Sequence, residues 1–272
     1  MDVLRRNNVR ILGKGERTLM FAHGFGCDQT MWRHVVDGLS AGHRIVLFDH
    51  VGAGDSDTSA YDPIRYGALA GYAADVVEIC QDLGGQPVTF VGHSVGATIG
   101  LLAANMRPDM IEALVMVCPS PRFSNTETYS GGFAASDIAE LLDLMDKNHL
   151  DWSALMAPTV MGAAAEAEQA EWRGSVCRVD PVIAKQFARV TFEADNRADF
   201  AATTTRTLII DCSDDVLAPA EVGAFVHGAI RGSTRQTLQA TGHCPHLTRP
   251  ADVIAAIQAF VAAGNADVRF AA

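Results

Sequence analysis

The run Val88-Thr89-Phe90-Val91-Gly92-His93-Ser94-Val95-Gly96-Ala97-Thr98-Ile99-Gly100-Leu101 passes from a short apolar, β-branched segment through G-x-S-x-G into a segment of helical pattern. A serine placed at such a strand-to-helix turn is a nucleophile elbow. The turn is sharp and strained, and Gly92 and Gly96 let strand and helix pack closely around Ser94 because they carry no Cβ. Ser94 then stands at a helix N-terminus, where backbone N–H groups point at developing negative charge. The bare pattern is common, and the strand before and helix after it are what make it specific.

The same alternation extends outward from this turn. Apolar strand-like runs fall at 18–22, 44–49, 88–91, 113–118, 207–212 and 235–239, and several are apolar almost throughout, as parallel strands covered on both faces should be. Segments 3–6 and 9–12 read as a short antiparallel start to the sheet. Helical patterns lie between the strands, near 31–39, 66–83, 94–106, 220–229 and 251–262. Strand–helix alternation predicts an α/β class with a mostly parallel, eight-stranded sheet flanked by helices. Residues 124–197 break the pattern. They read as four helical pieces, 135–148, 152–161, 165–173 and 181–192, with breaks at Gly131-Gly132, Asn148, Pro158, Gly162, Gly174 and Asp180-Pro181. We read 124–197 as a helical cap inserted between strands of one core made of 1–123 and 198–272. The stretch after Gly264 is expected to fray.

Three further segments carry chemistry. Ala22-His23-Gly24-Phe25-Gly26 follows the strand-like run 18–22, and the backbone N–H of Phe25 is a second oxyanion donor beside that of Val95. Ser213-Asp214-Asp215-Val216-Leu217-Ala218-Pro219 follows the run 207–212 and supplies the acid. Asp215 is preferred because Pro219 opens a helix four residues on, and Asp214 then reads as a turn residue. Gly242-His243-Cys244-Pro245-His246 follows the last strand and supplies the base, with His246 as the competitor to His243. The chain order Ser94, Asp215, His243 is that of one class of serine hydrolase. In it His243 takes the serine proton and Asp215 fixes its tautomer.

Composition narrows the alternatives. A net charge of −11 over 272 residues argues against nucleic acid or an anionic membrane as partner. No apolar stretch reaches the ~20 residues of a membrane span. The opening Met1-Asp2-Val3-Leu4-Arg5-Arg6 has no apolar signal-peptide core, so none is expected. Six scattered cysteines without a C-x-x-C pair suggest a reduced, cytoplasmic setting. Cys27 and Cys244 flank site residues and read as packing thiols. His243, Cys244 and His246 lack a fourth metal ligand, so neither a metal nor another cofactor is expected. The helical insertion is rich in large apolar residues, and a closed, apolar pocket for a small hydrophobic ligand is expected beneath it. Phe25, His93, Phe133, Trp152, Phe187 and Phe192 are its expected lining.

The combination of His23-Gly24-Phe25-Gly26-Cys27-Asp28-Gln29, Gly52-Ala53-Gly54, Gly92-His93-Ser94-Val95-Gly96-Ala97, Pro119-Ser120-Pro121-Arg122-Phe123, Tyr129-Ser130-Gly131-Gly132-Phe133 and Gly242-His243-Cys244-Pro245-His246 resembles the RsbQ group of α/β hydrolases. The plant karrikin and strigolactone receptors belong to that group. The resemblance implies the α/β-hydrolase fold with a four-helix cap over a hydrophobic cavity. It implies the triad Ser94, Asp215, His243 and the oxyanion donors Phe25 and Val95. It also implies a possible partner, a PAS-domain phosphatase, and a role in stress signalling. Gly96 matches the bacterial branch, since the plant receptors commonly carry serine there. Residues 163–170 depart from the family pattern, which leaves the ligand open. The expected activity is hydrolysis of a small hydrophobic ester or lactone, butenolide-type compounds included. The alternatives are a ligand sensor of slow or single turnover, and an enzyme of the same fold with other chemistry, such as a haloperoxidase or a C–C bond hydrolase. A haloalkane dehalogenase is excluded, because it needs aspartate where Ser94 stands.

Overall fold

The computed structural model describes residues 2–269. In chain order the first half contains α1 (Val3–Arg6), β1 (Arg10–Leu12), β2 (Thr18–Ala22), α2 (Arg33–Leu39), β3 (Arg44–Leu47), α3 (Leu69–Asp82), β4 (Val88–His93), α4 (Val95–Met106) and β5 (Ile111–Val117). Four helices follow, α5 (Ala135–Lys147), α6 (His149–Met161), α7 (Glu166–Arg178) and α8 (Pro181–Phe192). The chain closes with α9 (Arg197–Ala202), β6 (Arg206–Asp214), α10 (Ala220–Ala229), β7 (Thr234–Thr241), α11 (Pro245–Thr248) and α12 (Pro250–Arg269). This is the α/β-hydrolase fold.

The strands form one sheet in the order β1-β3-β2-β4-β5-β6-β7, parallel except for β1, which runs antiparallel to β3. Eight strands were expected and seven are described. The difference is 3–6, where Asp2 caps a single helical turn by accepting from the Arg5 N–H at 3.2 Å. Arg6 is buried there against Asp75 and Glu78, an ion-pair partnership that an edge strand would not supply.

The central strands are buried on both faces. All six residues of β4 are buried, as are all five of β2. One face carries α2 and α12 over Leu19, Phe21, Ile45, Val91 and Val115. The other carries α3, α4 and α10 over Met20, Val46, Phe90 and Leu114. Helix α4 has ten buried residues in succession, 95–104, so it is a core helix without a polar stripe. It approaches the sheet so closely that a Cβ on Gly96 would sit 2.5 Å from the His23 carbonyl oxygen.

Helices α5–α8 leave the sheet after β5 and return before β6, and they share a separate apolar cluster built on Met145, Trp152, Met156, Trp172, Ala188 and Phe192. Two expected breaks lie inside these helices. Pro158 sits within α6, on its exposed side, and the carbonyl it leaves unbonded belongs to exposed Ala154, where water can serve it. Gly174 lies on the outer side of α7, which runs on because Trp172, Ser175 and Val176 are buried along its inner side. Helix α12 continues past Gly264, where fraying was expected, and residues 270–272 lie outside the described residues. Among the described residues no helix is long and apolar enough to cross a membrane.

Candidate active site

The carboxyl ends of β2, β4, β6 and β7 converge, the usual place for a ligand in a doubly wound sheet. Ser94 follows β4 directly and holds φ 53°, ψ −124°, left-handed backbone that a non-glycine residue rarely adopts. The strain is held in place by the Ser94 N–H bond to the Val117 carbonyl at 2.9 Å and by the glycines on either side. Val95, next in sequence, is the first residue of α4, where N–H groups have no partner within the helix. The backbone N–H groups of Phe25 and Val95 take part in no described hydrogen bond.

Asp215, not Asp214, reaches the histidine. Its Oδ2 accepts from His243 Nδ1 at 2.7 Å, and its Oδ1 accepts from the N–H groups of Leu217 at 2.9 Å and Ala218 at 3.1 Å. Burial works to raise this carboxyl, but the His243 charge and hydrogen bond and the two amides outweigh it and leave it below its ordinary value. Asp214 is exposed and accepts from the Thr241 hydroxyl at 3.0 Å. His243 Nε2 is buried without a hydrogen-bond partner among the described residues. It lines the same cavity as Ser94. His246, the competing base, packs between the rings of Trp32 and His93 at 4.5 and 4.4 Å, away from that cavity's lining.

His93 holds His243 from behind. Its Nε2 donates to the His243 carbonyl at 2.9 Å. Burial and the neighbouring His246 lower the His93 imidazole to about 4, so it stays neutral. A Cβ on Gly24 would lie 2.5 Å from His93 Nδ1, which explains glycine at that position. His93, Cys244 and His246 bring potential ligand atoms within 4.8 Å of one another. His93 Nε2 is engaged with the His243 carbonyl, and the group supplies three side chains, one short of a tetrahedral set. The two thiols beside the cavity differ in character. Hydrogen bonding with Cys244 brings Cys27 below its ordinary value against the effect of burial, while burial pushes Cys244 well up.

The cavity at Ser94 is apolar and narrow, with a volume of about 30 Å³. Of the expected lining, Phe25, His93, Trp152 and Phe192 border it. Phe187 borders a neighbouring cavity of about 20 Å³, which shares Phe25 and Cys27 with the first. Phe133 borders neither and lies half-buried at the edge of the insertion's core, paired with Ser124. Sequence reasoning passed over Cys27, Phe123, Thr191, Leu217 and Cys244 as lining, and it counted Met156, Val160 and Trp172 only among the apolar or helical residues of the insertion. Periodicity marks a helix's buried side but not which of two buried sides faces a cavity. The Trp152 indole N–H and the Thr191 hydroxyl are also buried without partners among the described residues. A surface groove of about 820 Å³ lies elsewhere, between Leu69, Leu102, Met106, Arg189 and Asp199.

The chain matches the Alpha/beta hydrolase family over residues 19–257. It is 35% identical over 253 residues to "Strigolactone esterase D14" of Arabidopsis thaliana, covering 93% of this chain and 95% of that protein. It is 35% identical over 244 residues to "Karrikin insensitive 2 receptor IA" of Petunia hybrida, covering 89% of each. Among solved structures, a hydrolase from Oleispira antarctica superposes with a TM-score of 0.90 at 42% identity, with 92% of each chain covered. The chain therefore belongs to the alpha/beta hydrolase family and, within it, stands with the karrikin and strigolactone receptor group.

Proposed function

We propose that the protein is a serine hydrolase acting on a small hydrophobic ester or lactone, butenolide-type substrates included. Ser94 Oγ attacks the substrate carbonyl while His243 Nε2 takes its proton. The oxyanion is received by the N–H groups of Phe25 and Val95. The alcohol leaves with the proton from His243, and water then releases the acid from Ser94 by the same steps. Asp215 holds His243 in the tautomer that leaves Nε2 free. Residues 124–197 act as the cap. The observation that carries this reading is the buried Asp215–His243 bond of 2.7 Å, with an unpartnered Nε2 on the cavity that Ser94 also lines. The test is hydrolysis of p-nitrophenyl acetate and of a butenolide ester by wild type and Ser94→Ala, followed by intact mass. Acyl adduct and turnover that vanish together in Ser94→Ala support the reading, and full turnover in Ser94→Ala overturns it.

A second reading has its own support. The cavity at Ser94 is small, about 30 Å³, and three relatives are named "Karrikin insensitive 2 receptor". A sensor of slow or single turnover fits both observations, with a signalling partner of the PAS-domain phosphatase type. We place the protein in the cytoplasm on its cysteine usage. A stalled acyl-enzyme after one burst would favour this reading, and steady turnover near ~10 s⁻¹ would favour the ordinary esterase.

A further inference from the structure

The side chains along the inner side of α7 converge on the loop that carries Phe25. Glu171 pairs with Arg33 through two bonds, at 2.5 and 2.7 Å. The Trp172 indole N–H donates to the Phe25 carbonyl at 3.4 Å. The Ser175 hydroxyl and the Arg178 guanidinium donate to Asp28 Oδ2 at 3.1 and 2.7 Å. Between these anchors the contact is close. A Cβ on Gly26, which sits at φ 71°, would lie 2.7 Å from Val176 Cγ2 and 2.9 Å from Trp172 Nε1. The Phe25 ring is wedged against Trp152, Phe187 and Phe192, at centroid distances of 5.6 to 5.8 Å. The preceding helix, α6, holds the other catalytic loop: its Val160 carbonyl accepts from the His243 N–H at 2.7 Å.

We propose that Trp172 and the Arg178–Asp28 pair are positioning residues that set the Phe25 N–H, so that the oxyanion site is assembled only when the insertion is seated. This rests on the serine-hydrolase reading above. The argument is geometric. A cavity of about 30 Å³ holds little more than water, so substrate enters only if the insertion moves. Helix α7 cannot move without pulling on residues 25–28, because Trp172, Ser175 and Arg178 are fastened there and Glu171 is tied to Arg33 just beyond. Phe25 is held through its carbonyl and its ring together, and an error of about 1 Å in a donor's position costs up to about a hundredfold in rate. Opening therefore disorganises the donor, and closing over substrate restores it. Arg178 does not line the cavity, whereas Trp172 borders it and also holds Phe25 by its N–H. Their effect on the oxyanion donor runs through the Phe25 loop.

The test uses Trp172→Phe, which keeps an aromatic side chain but removes the N–H, and Arg178→Ala, whose side chain is 64% exposed so that its loss leaves the core intact. The rate of Ser94 acylation by p-nitrophenyl acetate, its KM, and the inhibition constant of a small alkylboronic acid are measured for each. A boronate forms a tetrahedral adduct on serine and reports on the oxyanion donors directly. The expected result is an acylation rate lower by roughly tenfold, boronate binding weaker by the same factor, and little change in KM. Rates within about twofold of wild type in both variants overturn the proposal. So does a lower rate with unchanged boronate affinity, which would mark a merely structural role. Full turnover by Ser94→Ala in the same assay overturns the hydrolase reading, a different failure from either of these.

Discussion

Replacing Asp215 with asparagine separates the geometry of the triad from its proton bookkeeping. In the wild type Oδ1 accepts from two backbone N–H groups, at 2.9 and 3.1 Å, and Oδ2 accepts from His243 Nδ1 at 2.7 Å. An asparagine must choose. With its oxygen toward Leu217 and Ala218 it keeps both amide bonds and turns its NH₂ toward His243. The reverse orientation sets an NH₂ against two N–H donors, and is disfavoured by about two lost hydrogen bonds to a buried acceptor, roughly 2–3 kcal/mol. The first orientation therefore wins, Nδ1 becomes an acceptor, and the imidazole proton moves to Nε2. That nitrogen can then no longer take the Ser94 proton. The expected loss in acylation rate is about 10³–10⁴-fold, or about 4–5.5 kcal/mol of barrier. Fold and substrate affinity should persist. The assay is single-turnover acylation by p-nitrophenyl acetate, with circular dichroism as the control for folding. Asp214→Asn is the companion variant. It touches only the Thr241 hydroxyl through its side chain and should stay within about twofold of wild type. If Asp215→Asn kept a tenth of the wild-type rate or more, or if Asp214→Asn were the damaging change, the assignment of the acid would be wrong.

Gly24→Ala should lower both stability, by about 1–3 kcal/mol in urea unfolding, and acylation, because its Cβ would press on His93 and through it on the His243 backbone. Trp152→Ala removes a side chain that is 1% exposed and packed on Phe25, and should cost about 3–5 kcal/mol in denaturant unfolding while shifting preference toward longer acyl chains. His93 and His246 are buried, with values lowered to about 4 and about 3, chiefly by burial. A depressed histidine leaves the unfolded chain binding more protons, so stability should fall as pH drops from 6.5 toward 4, by roughly 1.4 kcal/mol per pH unit for each histidine. Buried His50 is depressed in the same way, so His246→Gln should lower that slope by about a third in melts taken between pH 6.5 and 5, and an unchanged slope would contradict the buried, neutral state of this ring.

The sheet and the Asp215–His243 contact were legible because each follows from a local pattern. The runs at 18–22 and 207–212 are apolar almost throughout, and β2 and β6 stand there. Pro219 marks the start of α10 at Ala220 and so fixes the spacing by which Asp215 was preferred. The misreadings arose where tertiary contacts outweighed local preference. Val3–Arg6 is helical because Asp2 caps it and Arg6 finds Asp75 and Glu78, partners some seventy residues away. Gly174 does not end α7, because the burial of Trp172 and Val176 outweighs a cost of about 1 kcal/mol for glycine in a helix. The cavity lining was the least legible part. Cys27, Thr191 and Leu217 come from three separate segments that the fold brings together, and Phe133 satisfies the same apolar pattern without reaching the cavity.

The most direct test of the central claim is intact mass spectrometry during stopped-flow hydrolysis of p-nitrophenyl acetate, for wild type and Ser94→Ala side by side. The account predicts a transient mass increase of one acetyl group in the wild type, located on Ser94 by peptide mapping, with neither adduct nor product release above background in Ser94→Ala. Undiminished product release by Ser94→Ala, or an acyl group mapping to Cys27 instead, would contradict it.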